Sequence, residues 1–136
     1  MIYGIGTDIV KIDRIRASLE RFGAHFARRV LTAAELLEYQ TSHQPDRFVA
    51  KRFAAKEAVV KALGLGFRAG LGLNLIGVSH DEYGKPAIVY HGQALDHVRK
   101  IGIVESLISI SDEQDYALAF AILIWEIKPT AVPTDG

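Results

Sequence analysis

One stretch constrains this chain more than any other: Arg52–Gly64, RFAAKEAVVKALG. Ala, Lys, Glu and Leu dominate it, no Pro interrupts it, and Gly64 supplies a stop, so it reads as a helix. At ~100° per residue, Phe48, Val49, Phe53, Ala55, Val59, Val60, Ala62 and Leu63 share one broad apolar arc. Arg52 and Lys56 fall inside that arc, one turn apart. Glu57 and Lys61 lie beside it, also one turn apart, next to the small residues Ala50, Ala54 and Ala58. A plain core helix would carry Leu or Ile where Arg52 and Lys56 stand. Charges at such positions are paired, reach a cleft, or snorkel to water along their apolar stems.

The chain has 136 residues, enough for one domain, and 49% of them are hydrophobic, enough for a real core. Its formal net charge is zero, so no bulk basic field draws it to nucleic acid or an anionic membrane. The charge is nevertheless uneven. Lys11, Arg14, Arg16, Arg21, Arg28 and Arg29 crowd the N-terminal part against Asp8, Asp13 and Glu20, which points to an acidic partner or an anionic ligand. With no Cys, disulfides, thiolate metal sites and Cys nucleophiles are excluded. The opening MIYGIGTDIVKIDR lacks the basic flank and apolar length of a signal peptide, and no window approaches ~20 apolar residues. A soluble cytoplasmic protein is the expectation.

Ile2–Val10 reads as a strand interrupted by Gly4 and Gly6, which suggests a bulge or close backbone approach. Asp8 is the one carboxylate in that run. Asp13 is a candidate N-cap for a helix ending at Gly23, with Ile12, Ile15, Leu19 and Phe22 as its apolar stripe and Arg14 and Arg21 on one side. Residues 25–30 read as a connector. Thr32 with Glu35 has the form of a capping box for a helix running to about Gln40. Asp46 is placed as the cap of the central helix. After Gly64 comes a Gly-rich segment carrying Arg68; such loops can cradle phosphate through backbone N–H groups.

Residues 75–80 and 86–91 suggest a hairpin around DEYGK, Gly92–Ile101 a short helix, and residues 106–111 and 116–125 a second hairpin. The apolar run LAFAILIW predicts a well-covered strand. Together these give an α+β fold: an antiparallel sheet of hairpins packed against a long central helix. Residues 1–128 form a single domain in this reading, and 129–136, with Pro129 and Pro133, a flexible tail.

Asp8 and Glu57 stand on two rigid elements. Brought together they make a hard-oxygen site, suited to Mg²⁺, which takes one or two protein carboxylates and completes its shell with phosphate oxygens and water. Lys61, Lys56 and Arg52 nearby would neutralise a phosphorylated substrate, the combination that phosphoryl transfer needs. Spacing alone does not bring Asp8 to Glu57. A Mg-dependent nucleotide phosphohydrolase and a non-catalytic binder of an acidic protein are also compatible with these residues.

GIGTDIV at Gly4–Val10 together with RFAAKEAVVKALG closely resembles the holo-acyl-carrier-protein synthase family, the small bacterial type of 4′-phosphopantetheinyl transferase. Similarity continues through FARRVLT at Phe26–Thr32, GKP at Gly84–Pro86 and SISDEQDYALAFA at Ser109–Ala121. The resemblance implies transfer of the 4′-phosphopantetheine arm of coenzyme A to a serine of apo acyl carrier protein, leaving adenosine 3′,5′-bisphosphate. It implies Mg²⁺ on Asp8 and Glu57, Lys61 beside the reacting phosphate, and a homotrimer with coenzyme A bound between subunits. Glu57 and Lys61 are then the catalytic candidates. Arg52, Lys56, Gly64, Arg68 and Pro86 are the candidate contacts to coenzyme A, and Arg14 and Arg21 those to the acidic carrier. The resemblance departs at Asp112, where many members carry His.

Overall fold

A computed structural model of the chain describes residues 1–64 and 72–126. Its centre is the helix α4, Pro45–Leu63. Pro45 occupies the first turn, where a missing N–H leaves nothing unpaired, and Gln44 precedes it as N-cap. Asp46 therefore lies inside the first turn and not at the cap; there it complements the helix dipole and accepts a hydrogen bond from Arg16 at 2.8 Å. Gly64 ends the helix in the left-handed conformation (φ 79°), its N–H donating to the carbonyls of Val60 and Lys61.

Strand β1, Ile2–Lys11, lies directly on this helix. A Cβ on Gly4 would stand 2.1 Å from the carbonyl oxygen of Ala62, and one on Gly6 would stand 2.0 Å from that of Ala58. Only glycine permits an approach this close. The small residues Ala54, Ala58 and Ala62 on the helix side are buried for the same reason.

β1 pairs antiparallel with β5, Tyr116–Trp125, which in turn pairs with β4, Ile103–Asp112, giving the order β1-β5-β4. Side chains alternate along β5. Ala117, Ala119, Ala121 and Leu123 turn inward to α4, whereas Leu118 and Phe120 lie on the other face, 45% and 39% exposed. Ile5 and Ile9 of β1 pair with Ile122 and Leu118 and extend this open apolar face; both are exposed. The expectation of a well-covered strand thus holds for one face of β5 only.

The second sheet is the hairpin of β2, Ile76–His80, and β3, Pro86–Tyr90. Asp81 organises its turn, accepting from the backbone N–H groups of Tyr83 and Lys85, both at 2.9 Å.

Helix α1, Ile12–Phe22, starts one residue before Asp13, and its first N–H donates to the carbonyl of Asp115 at 2.9 Å. Ile12, Ile15 and Leu19 are buried, but Phe22 is half exposed. The expected connector at 25–30 is instead part of a helix, α2, Ala24–Val30. Gly23 turns the chain with φ 54°, and Ala27 and Val30 then bury against the core. Helix α3, Ala33–Gln40, carries the expected capping box: Thr32 N–H donates to Glu35 Oε1 at 2.9 Å and Glu35 N–H to Thr32 Oγ1 at 3.2 Å. Helix α5, Gly92–Ile101, ends at Gly102. One hydrophobic cluster joins buried residues from β1, from α1, α2, α4 and α5 and from both sheets, and Leu36 and Tyr39 of α3 pack against it. Arg68 and the expected tail at 129–136 lie outside the described residues.

Candidate active site

The contact between β1 and α4 fixes which side chains meet. Gly6 rests on the carbonyl of Ala58, so Asp8, two residues along the strand on the same side as Gly6, comes beside the helix turn carrying Glu57 and Lys61. Lys61 Nζ donates to the carbonyl of Thr7 at 2.9 Å and to Asp8 Oδ1 at 3.1 Å. The other oxygen, Asp8 Oδ2, is buried with no hydrogen-bond partner among the described residues. A buried oxygen left unsatisfied costs free energy unless something else fills its shell. Burial pushes the Glu57 carboxyl above the usual range and the negative charge of Asp8 adds to it, against the opposing charges of Lys61 and Arg14.

Asp8 and Glu57 line a cavity of about 920 Å³. Its wall is apolar, with Phe26, Phe53 and Leu73, and its rim is cationic, with Arg14, Arg28 and Arg29. Two adjacent carboxylates, one with an orphaned oxygen and the other resisting ionisation, fit a small divalent cation. Among the described residues no group of three or more metal-ligating side chains forms a closed cage. A cation held by Asp8 and Glu57 would complete its shell from phosphate and water. Arg14 belongs to this cavity as well as to the outer surface of α1. Arg21 does not line it, and its guanidinium packs over the ring of Phe22, 5.1 Å from the centroid.

The two charges inside the apolar arc have another environment. Lys56 is fully buried, its Nζ 2.5 Å from the carbonyl of Val30 and 2.5 Å from Glu35 Oε1. Burial drives its ammonium down to about 8, and Glu35 only partly offsets this. Arg52, also buried, donates to the carbonyl of Val78 at 2.5 Å and to Glu38 Oε2 at 3.2 Å. Glu35 Oε2 lies 3.6 Å from Arg52 and accepts from the N–H of Val78 at 3.0 Å. The Glu35 carboxylate therefore ties together α3, α4 and β2, and Lys56 adds α2 through the carbonyl of Val30. Lys56 follows this network and does not line the Asp8–Glu57 cavity, although it is the neighbour of Glu57 in sequence. Glu35 was legible in the sequence only as a cap residue. The missing signal was a question of charge balance: two cations in an apolar arc require a buried anion.

Arg52 and Pro86 do come together, at a second cavity of about 330 Å³ lined also by Arg47, Lys51, His80 and Gly84. Burial and the charge of Arg52 lower the His80 imidazole below its ordinary value. Gly64 lines neither cavity; it closes α4 one turn beyond Lys61. Asp112, at the end of β4, accepts from Arg47 at 2.8 Å and stands 3.5 Å from Lys51.

Residues 4–121 match the sequence profile of the 4′-phosphopantetheinyl transferase superfamily. A holo-[acyl-carrier-protein] synthase of Nitrosococcus oceani is 51% identical over 126 residues, covering 93% of this chain and 82% of that one. The crystal structure of the synthase from Neisseria meningitidis superposes with a TM-score of 0.85 at 47% identity, covering 91% of this chain and 99% of that one. That of a synthase from Bacillus anthracis in complex with CoA (3′,5′-ADP) gives a TM-score of 0.74 at 33% identity, covering 90% and 96%.

Proposed function

The chain belongs to the 4′-phosphopantetheinyl transferase superfamily, and on that basis we propose that it moves the 4′-phosphopantetheine arm of coenzyme A onto a serine hydroxyl of an apo acyl carrier protein. The bond between the pantetheine phosphate and the nucleotide breaks, a bond from that phosphorus to the serine oxygen forms, and adenosine 3′,5′-bisphosphate leaves. The observation that carries this reading is the acidic pair Asp8–Glu57, with Lys61 hydrogen-bonded to Asp8, lining a cavity with an apolar wall and a cationic rim.

Asp8 and Glu57 are the proposed holders of Mg²⁺, which when bound neutralises the diphosphate and the developing charge on its leaving oxygen. Lys61, steadied by Thr7 and Asp8, presents its ammonium to phosphate oxygens as charge shifts during transfer. Glu57 is the proposed acceptor of the serine proton, directly or through water. The apolar wall of Phe26, Phe53 and Leu73 shields the reacting groups from water.

The second cavity, with Arg47, Lys51, Arg52 and Pro86, is the proposed seat of coenzyme A phosphate. Lys56 acts there only indirectly, by holding Glu35 and so the frame around Arg52. Arg14 and Arg21 on α1 are the proposed contacts to the acidic carrier. We assign the reaction to the cytoplasm; no described helix is long and apolar enough to cross a membrane.

We further propose a homotrimer with sites between subunits. Its support is the open sheet face of Ile5, Ile9, Leu118 and Phe120, an apolar surface that a second copy would cover. The test of the reaction is incubation with coenzyme A, Mg²⁺ and apo carrier protein. Gain of one phosphopantetheine mass on the carrier is the expected result. Phosphate release without a carrier indicates a hydrolase, and binding without either indicates a recognition module.

A further inference from the structure

The second cavity holds its cations unequally. Arg52 is already engaged by Val78 and Glu38 and lies near Glu35. Burial and the charge of Arg52 hold the proton affinity of His80 below its ordinary value, so it adds less charge here than a free imidazole would. Among the described residues lining the cavity, that leaves Arg47 and Lys51 as the charges available to an anion, and both face Asp112. The carboxylate takes Arg47 at 2.8 Å and stands 3.5 Å from Lys51. Arg47 has two further anchors, the carbonyls of Glu113 at 2.7 Å and Gln114 at 2.9 Å. It stays in place without the carboxylate. Asp112 therefore contributes charge to this cavity more than it contributes position.

We propose that Asp112 is a built-in counter-anion that limits how tightly the second cavity holds a nucleotide phosphate. The proposal rests on the reading that this cavity takes coenzyme A phosphate. An arriving phosphate finds Arg47 and Lys51 half neutralised and must compete with Asp112 for them. Substrate and product carry nucleotide phosphates alike, so the same carboxylate weakens both. A weaker hold on adenosine 3′,5′-bisphosphate shortens product residence, at the expense of a higher KM for coenzyme A.

The test is calorimetric titration of the whole enzyme with adenosine 3′,5′-bisphosphate, accompanied by steady-state kinetics. Asp112→Asn keeps the shape and one acceptor oxygen but removes the charge. At a separation of several ångströms in a partly solvated cavity, losing one negative charge should tighten the bisphosphate Kd by about three- to tenfold. The KM for coenzyme A should fall with it and the KM for carrier protein should not. The gain should shrink as salt is raised, because screening acts on a charge and not on packing. Asp112→Glu retains the charge and should restore wild-type affinity. If Asp112→Asn fails to fold, Asp112→Ser serves the same comparison.

A folded Asp112→Asn that binds the bisphosphate no more tightly than wild type overturns the proposal. Lys51→Ala separates that failure from failure of the underlying reading. Weaker nucleotide binding by Lys51→Ala with no gain from Asp112→Asn leaves the cavity assignment standing and removes the counter-anion. Unchanged binding by both removes the cavity itself from nucleotide recognition.

Discussion

The ammonium of Lys56 and the carboxylate of Glu35 meet at 2.5 Å where neither reaches water. Breaking such a pair by removing one member leaves the other charge buried alone, at a cost of about 3–5 kcal/mol. Lys56→Met and Glu35→Ala should each lower the unfolding free energy by that order in urea titrations, and the double variant by less than the sum. The ordinary lysine value of 10.5 falls to about 8 in the folded protein. Between those values the unfolded chain binds more protons than the folded one, so this group makes stability rise with pH across that window and lose that gain as pH falls through about 8. The difference in urea midpoint between wild type and Lys56→Met should therefore widen as pH rises from 8 towards 10.5. A raised KM for coenzyme A in Lys56→Met with unchanged stability would instead make Lys56 a ligand contact.

Asp8→Asn and Glu57→Gln keep side-chain shape and lose ligand charge. Each should fold and lose activity by a factor on the order of 10² or more, since the metal contributes several kcal/mol to the transition state. Calorimetric titration with Mg²⁺ and coenzyme A should show the matching loss of metal affinity. In metal-free protein, Glu57 should titrate above the ordinary carboxylate value of 4.5, first because it is buried and then because Asp8 repels its charge. Carboxyl resonances should show this titration moving down in Asp8→Asn and up in Lys61→Met. Near-normal turnover by Glu57→Gln in Mg²⁺ removes that residue from the site.

Arg14 and Arg21 separate in their expected effects. Arg21 does not line the cavity of the acidic pair, so Arg21→Glu should raise the KM for apo carrier protein and flatten its salt dependence, with coenzyme A binding unchanged. Arg14 lowers the proton affinity of Glu57, so Arg14→Glu should affect the carrier and also raise the Glu57 titration. Normal carrier binding by both variants across a salt series puts the docking surface elsewhere.

Phe120 stands in the middle of the open sheet face, 39% exposed between Thr7 and Ser109 on its neighbouring strands. Phe120→Asp should leave the fold intact and shift the sedimenting species from trimer towards monomer, with loss of activity at low protein concentration. A wild-type protein that sediments as a stable, active monomer rules out sites between subunits.

Much of this arrangement was legible in residues. Helix α4, the capping box at Thr32 and the bounds of β5 follow from local chemistry, and local chemistry decides them in the structure. The exposure of Leu118 and Phe120 was not legible, because an apolar run does not say which of its faces a helix covers. Helix α2 was missed because its seven residues have no side-chain cap and follow directly on the turn at Gly23. At the site, Glu57 and Lys61 share a face by periodicity, but Asp8 joins them through a tertiary contact. The clue to that contact was the match of Gly4 and Gly6 on the strand to Ala58 and Ala62 on the helix. Lys56 and Arg52 announced that something buried must answer them; Glu35 was hidden because its capping role already accounted for it.

The glycines of β1 make the gap between Asp8 and Glu57 a ruler graduated in main chain alone. No side chain lies between Gly6 and the carbonyl of Ala58, so repacking has nothing there to trim or enlarge. A larger residue at Gly6 does not adjust the gap by degrees; it lifts the strand off the helix. Retuning this centre for a cation of different radius must therefore work through the reach of the donor arms, as in Asp8→Glu, while the distance between the two backbones stays as it is.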